Sequence, residues 1–259
     1  MKIKEIVRAL ERFAPLPLQE SYDNAGLQIG LTEAEATGAL LCLDVTEEVI
    51  DEAVAQGLNV IVAHHPLLFK GVKAVTDANY VQRCVRKAIQ CDVAVYAAHT
   101  NLDNALNGVN FKIAQKIGLK DIDFLLPGTN PSSGSGIVGF LPEADDVEAF
   151  LHRIKKIFNV GCVKHNAYTG TNVKKVAVCG GAGAFLMNQA VAAHADAFIT
   201  GEIHYHDFFG HENDILLAEI GHYESEQFTK ELFAEILQEQ LPALRVVETK
   251  INTNPIKYL

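Results

Sequence analysis

The sequence predicts an α/β protein made of two similar three-layer α/β/α domains related by duplication. Short apolar, β-branched runs alternate with helical patterns, which is typical of largely parallel strands buried between helices. The order strand, helix, strand occurs in each half of the chain. The alternative to duplication is that any two α/β halves look alike at this level of detail.

In the first half, an amphipathic helix is followed by strands and helices in strict alternation. Thr46 is the expected N-cap of the helix after the first strand, and Gly57 is its expected stop. The predicted elements are a helix over 1–13, a strand over 39–46, a helix over 47–57, a strand over 59–66, a helix over 78–90 and a strand over 92–103.

The second half begins with the same order of strand, helix and strand, and it ends in a helix. The predicted elements are a strand over 174–183 that enters a glycine-rich turn, a helix over 184–195, strands over 196–207 and 214–226, and a helix over 227–241. Residues 125–136 form the one Pro/Gly/Ser-rich stretch and are interpreted as the linker. The predicted domains are therefore 1–127 and 128–259, with some exchange of chain between them allowed.

Composition limits the classes of function. The formal net charge of −10 argues against a general nucleic-acid binder, because phosphate backbones are bound by clustered Lys and Arg. The N-terminus lacks a signal-peptide pattern, and no apolar run is long enough to span a membrane. Five cysteines without a CxxC pair indicate a reduced, cytoplasmic protein.

Histidines and carboxylates collect where the predicted strands end. Ligands of open parallel sheets bind outside the carboxyl ends of the strands, so these side chains are expected to share a site. They are His64, His65, His99, Asp103, Glu202, His204, His206, His222 and Glu226.

Five of these side chains suit a metal centre with two ions. His222 lies one helical turn before Glu226, and Asp103 supplies a second carboxylate beside His64 and His65. Three imidazoles and two carboxylates exceed the four ligands of a closed structural zinc site and suit two divalent ions that share a carboxylate. The alternative, a polar cluster without metal, would crowd titratable groups at an uncompensated electrostatic cost.

Three further motifs carry weaker signals. Residues 179–185, CGGAGAF, could hold a phosphate on backbone amides, although glycines at such turns more often serve conformation or packing. Residues 20–30 are interpreted as a turn in which Asp23 and Asn24 hydrogen-bond to backbone. Glu202, His204 and His206 are candidates to hold the ligand histidines in one tautomer.

Five stretches together resemble the GTP cyclohydrolase 1 type 2 homologue family, whose members are also called Ngg-interacting-factor-three-like dinuclear metal centre hexameric proteins. The resemblance covers the chain from about residue 1 to its end, and the chain resembles the short form that lacks an inserted middle domain. Tyr22 stands where the family usually has Trp, and His204 stands where many members have Lys. The stretches are SYDNAGLQIG, VAHHPLLFKG, AAHTNLD, TGEIHYHD and GHYESE.

The resemblance implies a dinuclear centre between two similar α/β domains, with Glu226 as the bridging ligand. Four further residues are expected to lie beside the metal ligands or in the substrate pocket: His99, Glu202, His204 and His206. It also implies a toroidal homohexamer built as a trimer of dimers. The two ions would be Zn, Fe, Mn, Ni or Co, because histidine and carboxylate suit all of these metals. The implied metal ligands are His64, His65, Asp103, His222 and Glu226.

Three functions are compatible with these observations, and no catalytic residue is singled out. The first is a metal-dependent hydrolase in which water attacks the purine imidazole ring of GTP. A two-metal phosphoesterase is the second, because two ions can clamp the attacking and leaving oxygens. A metal-binding or regulatory scaffold without catalysis is the third, and it would fill every coordination position with protein ligands.

Overall fold

The computed structural model describes residues 1–259 and contains nine α-helices and eleven β-strands. The helices are α1 (Ile3–Phe13), α2 (Glu47–Ala55), α3 (Tyr80–Gln90), α4 (Thr100–Asp103), α5 (Val109–Ile117), α6 (Val147–Ile157), α7 (Met187–Ala192), α8 (His222–Glu226) and α9 (Thr229–Gln240). The strands are β1 (Gly26–Ile29), β2 (Ala39–Cys42), β3 (Val60–Ala63), β4 (Ala94–Ala97), β5 (Lys120–Pro127), β6 (Gly134–Asp146), β7 (Lys164–His165), β8 (Asn172–Cys179), β9 (Ala197–Thr200), β10 (Leu216–Glu219) and β11 (Val246–Glu248). The predicted α/β class is confirmed: there are two sheets with helices packed around them.

The chain divides into two compact units, but not at the predicted boundary. Unit 1 comprises residues 1–102 and 229–257, and unit 2 comprises residues 103–228 and 258–259. The division expected at residues 127 and 128 falls inside unit 2, and the last helix returns to unit 1. Contiguous sequence could not reveal this exchange, because α9 carries the same apolar period whichever sheet it covers.

Unit 1 is built on a five-stranded sheet in the order β1-β4-β3-β2-β11. The strands β11, β2, β3 and β4 are parallel, and β1 pairs antiparallel with β4. In register, Cys42 lies beside Ala63 and Ala63 beside Ala97, so three neighbouring strands end in one row.

Helices cover both faces of this sheet because strand residues alternate between the faces. Leu40 and Ile61 pack with α2 and α3 in one buried cluster. Helix α9 contacts β2, and α1 contacts α9. As predicted, Thr46 caps α2 by accepting a hydrogen bond from the Val49 N–H, and Gly57 follows its last turn with φ +69°.

Unit 2 is built on a six-stranded mixed sheet in the order β5-β6-β8-β9-β10-β7. Only β8, β9 and β10 are parallel, and their last residues, Cys179, Thr200 and Glu219, are aligned. Phe198 and Leu217 pack against α7 in a buried cluster, while α5 and α6 contact β6 and β8. Each unit thus has three adjacent parallel strands that end together, and their relation by duplication stays a prediction.

Several predicted segments differ from the structure; the strand predicted over 92–103, for example, ends at Ala97 and is followed by α4. Residues 125–136 are not a linker: they join β5 to β6 in a hairpin whose turn is closed by the Gly128 N–H bonding to the Ser133 carbonyl at 2.8 Å. The predicted strand 214–226 ends at Glu219, and Gly221, with φ +93°, redirects the chain into α8. The strand predicted over 196–207 ends at Thr200, and the turn predicted over 20–30 contains β1.

None of the helices combines the length and the apolar composition that crossing a membrane would require.

Candidate metal centre

His64 and His65 follow β3 at the point where this buried strand ends. Their backbone N–H groups continue the pairing with the segment after β2, at 3.2 Å to the Cys42 carbonyl and 2.9 Å to the Leu43 carbonyl. The His64 ring is completely buried, and its Nδ1 donates to the Ala98 carbonyl at 2.9 Å. Because a carbonyl only accepts, neutral His64 carries its proton on Nδ1 and presents Nε2 as a ligand atom.

His65 is oriented by a carboxylate. Its Nδ1 lies 2.8 Å from Asp44 Oδ1, and the other carboxylate oxygen of Asp44 accepts from Thr253 Oγ1 at 2.7 Å. Burial acts to raise the pKa of Asp44, but its hydrogen bond to His65, with a further one to Thr253, leaves that pKa below its usual value. Asp44 reaches His65 because β2 and β3 are parallel neighbours whose ends are aligned.

His99, at the end of β4, is held by a second carboxylate. Its Nδ1 lies 2.8 Å from Asp23 Oδ1, and the other oxygen of Asp23 accepts from the Thr100 backbone N–H at 3.0 Å. Asp23 precedes β1, which starts opposite the end of β4, so the antiparallel pairing brings the two residues together. Burial opposes ionisation of Asp23, but bonds to His99 and Thr100 outweigh it and lower its pKa to about 2.

The three histidines of unit 1 form one cluster. Their ring centroids are separated by 4.8 Å for His64 and His65, 5.4 Å for His64 and His99, and 5.5 Å for His65 and His99. One ligand atom from each ring lies within 4.8 Å of the others. Since each Nδ1 is engaged by an oxygen, Nε2 is the ring nitrogen that each histidine presents as a ligand atom, and such a donor set fits a borderline-soft divalent ion.

The corresponding group in unit 2 lies on α8. As the spacing predicts, His222 and Glu226 are on one face, with His222 Nε2 3.2 Å from Glu226 Oε2. The Nδ1 of His222 lies 2.7 Å from Glu202 Oε1, on the segment after β9. Glu226 is almost completely buried, with 4% of its surface exposed. A buried carboxylate beside an oriented imidazole is a donor pair typical of catalytic metal sites.

The glycine loop after β8 is shaped around Glu226 and does not fit a phosphate. Its N–H groups are taken by side chains: Gly180 donates to Asn110 Oδ1 and Gly181 to Ser225 Oγ, both at 2.9 Å. A Cβ on Gly181 would lie 2.3 Å from Glu226 Oε1, and its φ is +62°. The hypothesis that residues 179–185 hold a phosphate is therefore not supported, because the backbone amides of this loop already donate to side chains.

Asp103 is the last residue of α4 and the first residue of unit 2. The charges of Asp103 and Glu226 both act on the buried Cys179 thiol, whose pKa is raised first by burial and then by these two carboxylates. Cys179 thus stays protonated and serves as a small core residue.

The remaining predicted residues separate into two groups. His99 lies inside the unit 1 cluster, and Glu202 contacts His222. His204 is 96% exposed and its Nδ1 lies 3.4 Å from Asp207, while the exposed His206 ring makes an edge-to-face contact with the Tyr205 ring.

Sequence reasoning missed two residues of the site. Asp23 was interpreted as a turn residue, and Asp44 was not singled out. The available signal is position: Asp44 lies two residues after the buried strand β2, and its parallel neighbour β3 is followed by His64 and His65. An acid at such a strand end is a candidate to orient a histidine.

The class defined by this fold and site is an α/β protein whose strand ends carry oriented histidines and carboxylates that could hold a metal ion. The family model for Duf34/NIF3 (NGG1p interacting factor 3) matches residues 1–255, and the chain belongs to that family.

Relatives and solved structures agree with this assignment. The chain is 33% identical to the GTP cyclohydrolase 1 type 2 homolog of Lactococcus lactis over 98% of both chains. The crystal structure of Staphylococcus aureus protein SA1388 superposes with a TM-score of 0.91 at 31% identity, covering 100% of this chain and 99% of that one.

The comparisons also confirm that this is a short form. A Staphylococcus epidermidis GTP cyclohydrolase 1 type 2 homolog aligns over 367 positions at 27% identity and covers 100% of both chains. Since this chain has 259 residues, that relative carries residues that are absent here.

Proposed function

We propose that the chain is a dinuclear metal-dependent hydrolase that resembles GTP cyclohydrolase 1 type 2. The proposal assigns two divalent ions to His64, His65, Asp103, His222 and Glu226. The observation that carries it is the unit 1 cluster, in which every Nδ1 is engaged by an oxygen and the ligand atoms lie within 4.8 Å of one another. Such pre-orientation is what metal-ligating histidines usually receive from their surroundings.

The residues of the chain would act by fixing ligands and by compensating charge. Asp44 and Asp23 hold His65 and His99 by their Nδ1 atoms and remain ionised beside them. Glu202 holds His222 by its Nδ1 atom in the same way. Divalent ions bound there would supply a nucleophile at neutral pH by lowering the pKa of bound water toward about 7.

The substrate proposed is GTP, with attack of water on C8 of the guanine imidazole ring and formate as the product that reports ring opening. Support comes from the relatives, which are called GTP cyclohydrolase 1 type 2 homologs. Formate separates this reaction from phosphoester hydrolysis, which would release phosphate instead.

The test combines metal analysis of the purified chain with assays of formate and phosphate release from GTP. We expect two equivalents of metal per chain and formate as the product. His65→Ala and Glu226→Ala should each lower the metal content and abolish formate release. Phosphate release without formate would replace the cyclohydrolase assignment with the phosphoesterase.

His152→Ala is the matched control for these substitutions. His152 is exposed on α6, and its Nδ1 bonds only to the Glu148 carbonyl of the same helix. Its removal should leave metal content and turnover unchanged. Less than one equivalent of metal in wild-type protein purified without chelators would contradict the metal centre itself.

The family resemblance also leads us to propose a toroidal homohexamer, arranged as a trimer of dimers. Light scattering coupled to size-exclusion chromatography measures this directly. A mass of one or two 28.2 kDa chains would refute the assembly without bearing on the metal centre.

A further inference from the structure

Unit 2 has a cavity of about 580 Å³ that the metal ligands do not account for. It lies between the start of α7 and the segment that follows β9. We call it the α7 cavity. The lining residues that matter here are Phe185, Asn188, Glu202, Asp207, Phe209 and His211.

Apolar rings give this cavity flat, exposed walls. Phe185 and Phe209 are 63% and 59% exposed, although large aromatic side chains are usually covered in folded proteins. The Phe209 ring lies 6.2 Å from the His206 ring, and the two planes are inclined by 31°. Exposed aromatic faces of this kind are typical of surfaces on which planar groups stack.

The polar groups that line the cavity include carboxylates that can accept hydrogen bonds. Glu202 and Asp207 contribute carboxylates, Asn188 an amide, and His204, His206 and His211 imidazoles, whereas no Lys or Arg is among the lining residues. A phosphate would find no permanently cationic side chain in this lining. A neutral ring that presents N–H groups would find carboxylate acceptors.

His211 adds a directional contact at the wall. Its Nδ1 is shielded from solvent and has no hydrogen-bond partner, so Nε2 is the ring nitrogen that a ligand can reach. The combination of stacking surfaces, carboxylate acceptors and an imidazole matches the edges and faces of one class of ligand, an amino-substituted nitrogen heterocycle.

We propose that the α7 cavity binds the base of a nucleoside, an amino-substituted purine or a similar planar nitrogen heterocycle, by stacking on Phe185 and Phe209 and by hydrogen bonds to Glu202 and Asp207. This inference rests on the proposed function, in which His222 is a metal ligand. Glu202 lines the cavity and also contacts His222, so the cavity adjoins the proposed ligands of unit 2. The cavity of about 580 Å³ is large enough for a base with its sugar.

The test is titration of the full chain, as purified, with 2-aminopurine riboside, whose fluorescence is quenched on stacking. The chain contains no Trp, so the protein contributes little competing emission. We expect saturable quenching in wild type and binding weakened at least about fivefold in Phe209→Ala and in Phe185→Ala, the loss of one stacking contact.

The control is Phe140→Ala, an aromatic of the same unit that is 37% exposed and lies outside the cavity lining. It should bind like wild type. Guanosine should displace the probe, and ribose 5-phosphate should not. Unchanged binding in Phe209→Ala and Phe185→Ala, or displacement by ribose 5-phosphate, would overturn the assignment.

Metal content measured on the same samples separates the two proposals. Two equivalents of metal without probe binding would refute the base site and leave the metal centre standing. Probe binding that is sensitive to Phe209→Ala in a chain that holds no metal would refute the proposed function and support the base site.

Discussion

The histidine cluster of unit 1 and the His222–Glu226 pair of unit 2 occupy the same kind of place in two sheets, but they are held differently. In unit 1, His65 and His99 are fixed by carboxylate side chains, one of which is fully buried, and His64 is fixed by a backbone carbonyl. In unit 2, two ligands share one short helix, and the backbone of a glycine loop leaves room for them. The ligand side chains are positioned mainly by hydrogen bonds in unit 1 and mainly by steric fit in unit 2.

The largest effect should follow from filling the space beside Glu226. In Gly181→Ala, the new Cβ would lie 2.3 Å from Glu226 Oε1 and 3.3 Å from His222 Nε2, at a φ of +62°. We expect metal content to fall to one equivalent or less and the free energy of unfolding to fall by about 1–3 kcal/mol. Metal analysis and chemical denaturation measure both.

Gly57→Ala is the matched control for the backbone strain. Gly57 has φ +69°, yet a Cβ there would meet nothing within 4 Å. The Gly57→Ala variant should lose about 1–2 kcal/mol of its free energy of unfolding and keep the metal content of wild type. Equal metal loss in both variants would show that strain, and not the contact with Glu226, is responsible.

The next effect concerns the carboxylate that orients His65. Asp44→Asn removes the negative charge 2.8 Å from His65 Nδ1, so metal affinity should fall about 10- to 100-fold. Thr253→Val removes only the bond to the other oxygen of Asp44 and should cost much less. Isothermal titration with Zn²⁺ or Mn²⁺ after chelation measures the difference, and equal losses would contradict the proposed role of Asp44.

Asp23 predicts a pH dependence of stability. Its pKa falls from 3.8 to about 2 on folding, so it stabilises the fold by on the order of 2 kcal/mol above pH 4. This contribution is lost as the pH falls from about 4 to about 2, where the folded carboxylate also becomes protonated. Asp23→Asn should therefore be less stable than wild type at pH 7, and the two should converge near pH 2.

Denaturant unfolding of both proteins across this pH range is the measurement. Asp51→Asn serves as the control, because Asp51 is 63% exposed and pairs with Lys87 on the surface. Its stability should differ from wild type by less than about 1 kcal/mol at every pH. A constant difference between Asp23→Asn and wild type would contradict the predicted ionisation.

The sequence predicts the parallel strands well and the antiparallel ones poorly, for a physical reason. The strands β2, β3 and β4 are buried on both faces and so read as continuous apolar runs. The hairpin β5–β6 is partly exposed and contains Gly and Pro, which also mark linkers. The return of α9 to unit 1 depends on long-range packing that no local pattern encodes.

The candidate site divides in the same way. Spacing alone places His222 and Glu226 on one face, because a helix relates residues four apart. The bond between His99 and Asp23 joins residues 76 positions apart and depends on the pairing of β1 with β4, which is visible only in the fold. Local geometry was therefore predictable, and contacts set by strand order were not.

The smallest effect should come from Glu202, the counterpart in unit 2 of Asp44. It lies 2.7 Å from His222 Nδ1, but its side chain is 57% exposed, compared with 35% for Asp44. Water can replace an exposed acceptor more readily, so Glu202→Gln should weaken metal binding less than about tenfold and less than Asp44→Asn does. The same calorimetric titration compares the two variants. If Glu202→Gln proved the more damaging, His222 would depend on side-chain bonding as strongly as His65 does, and the contrast between the two units would fail.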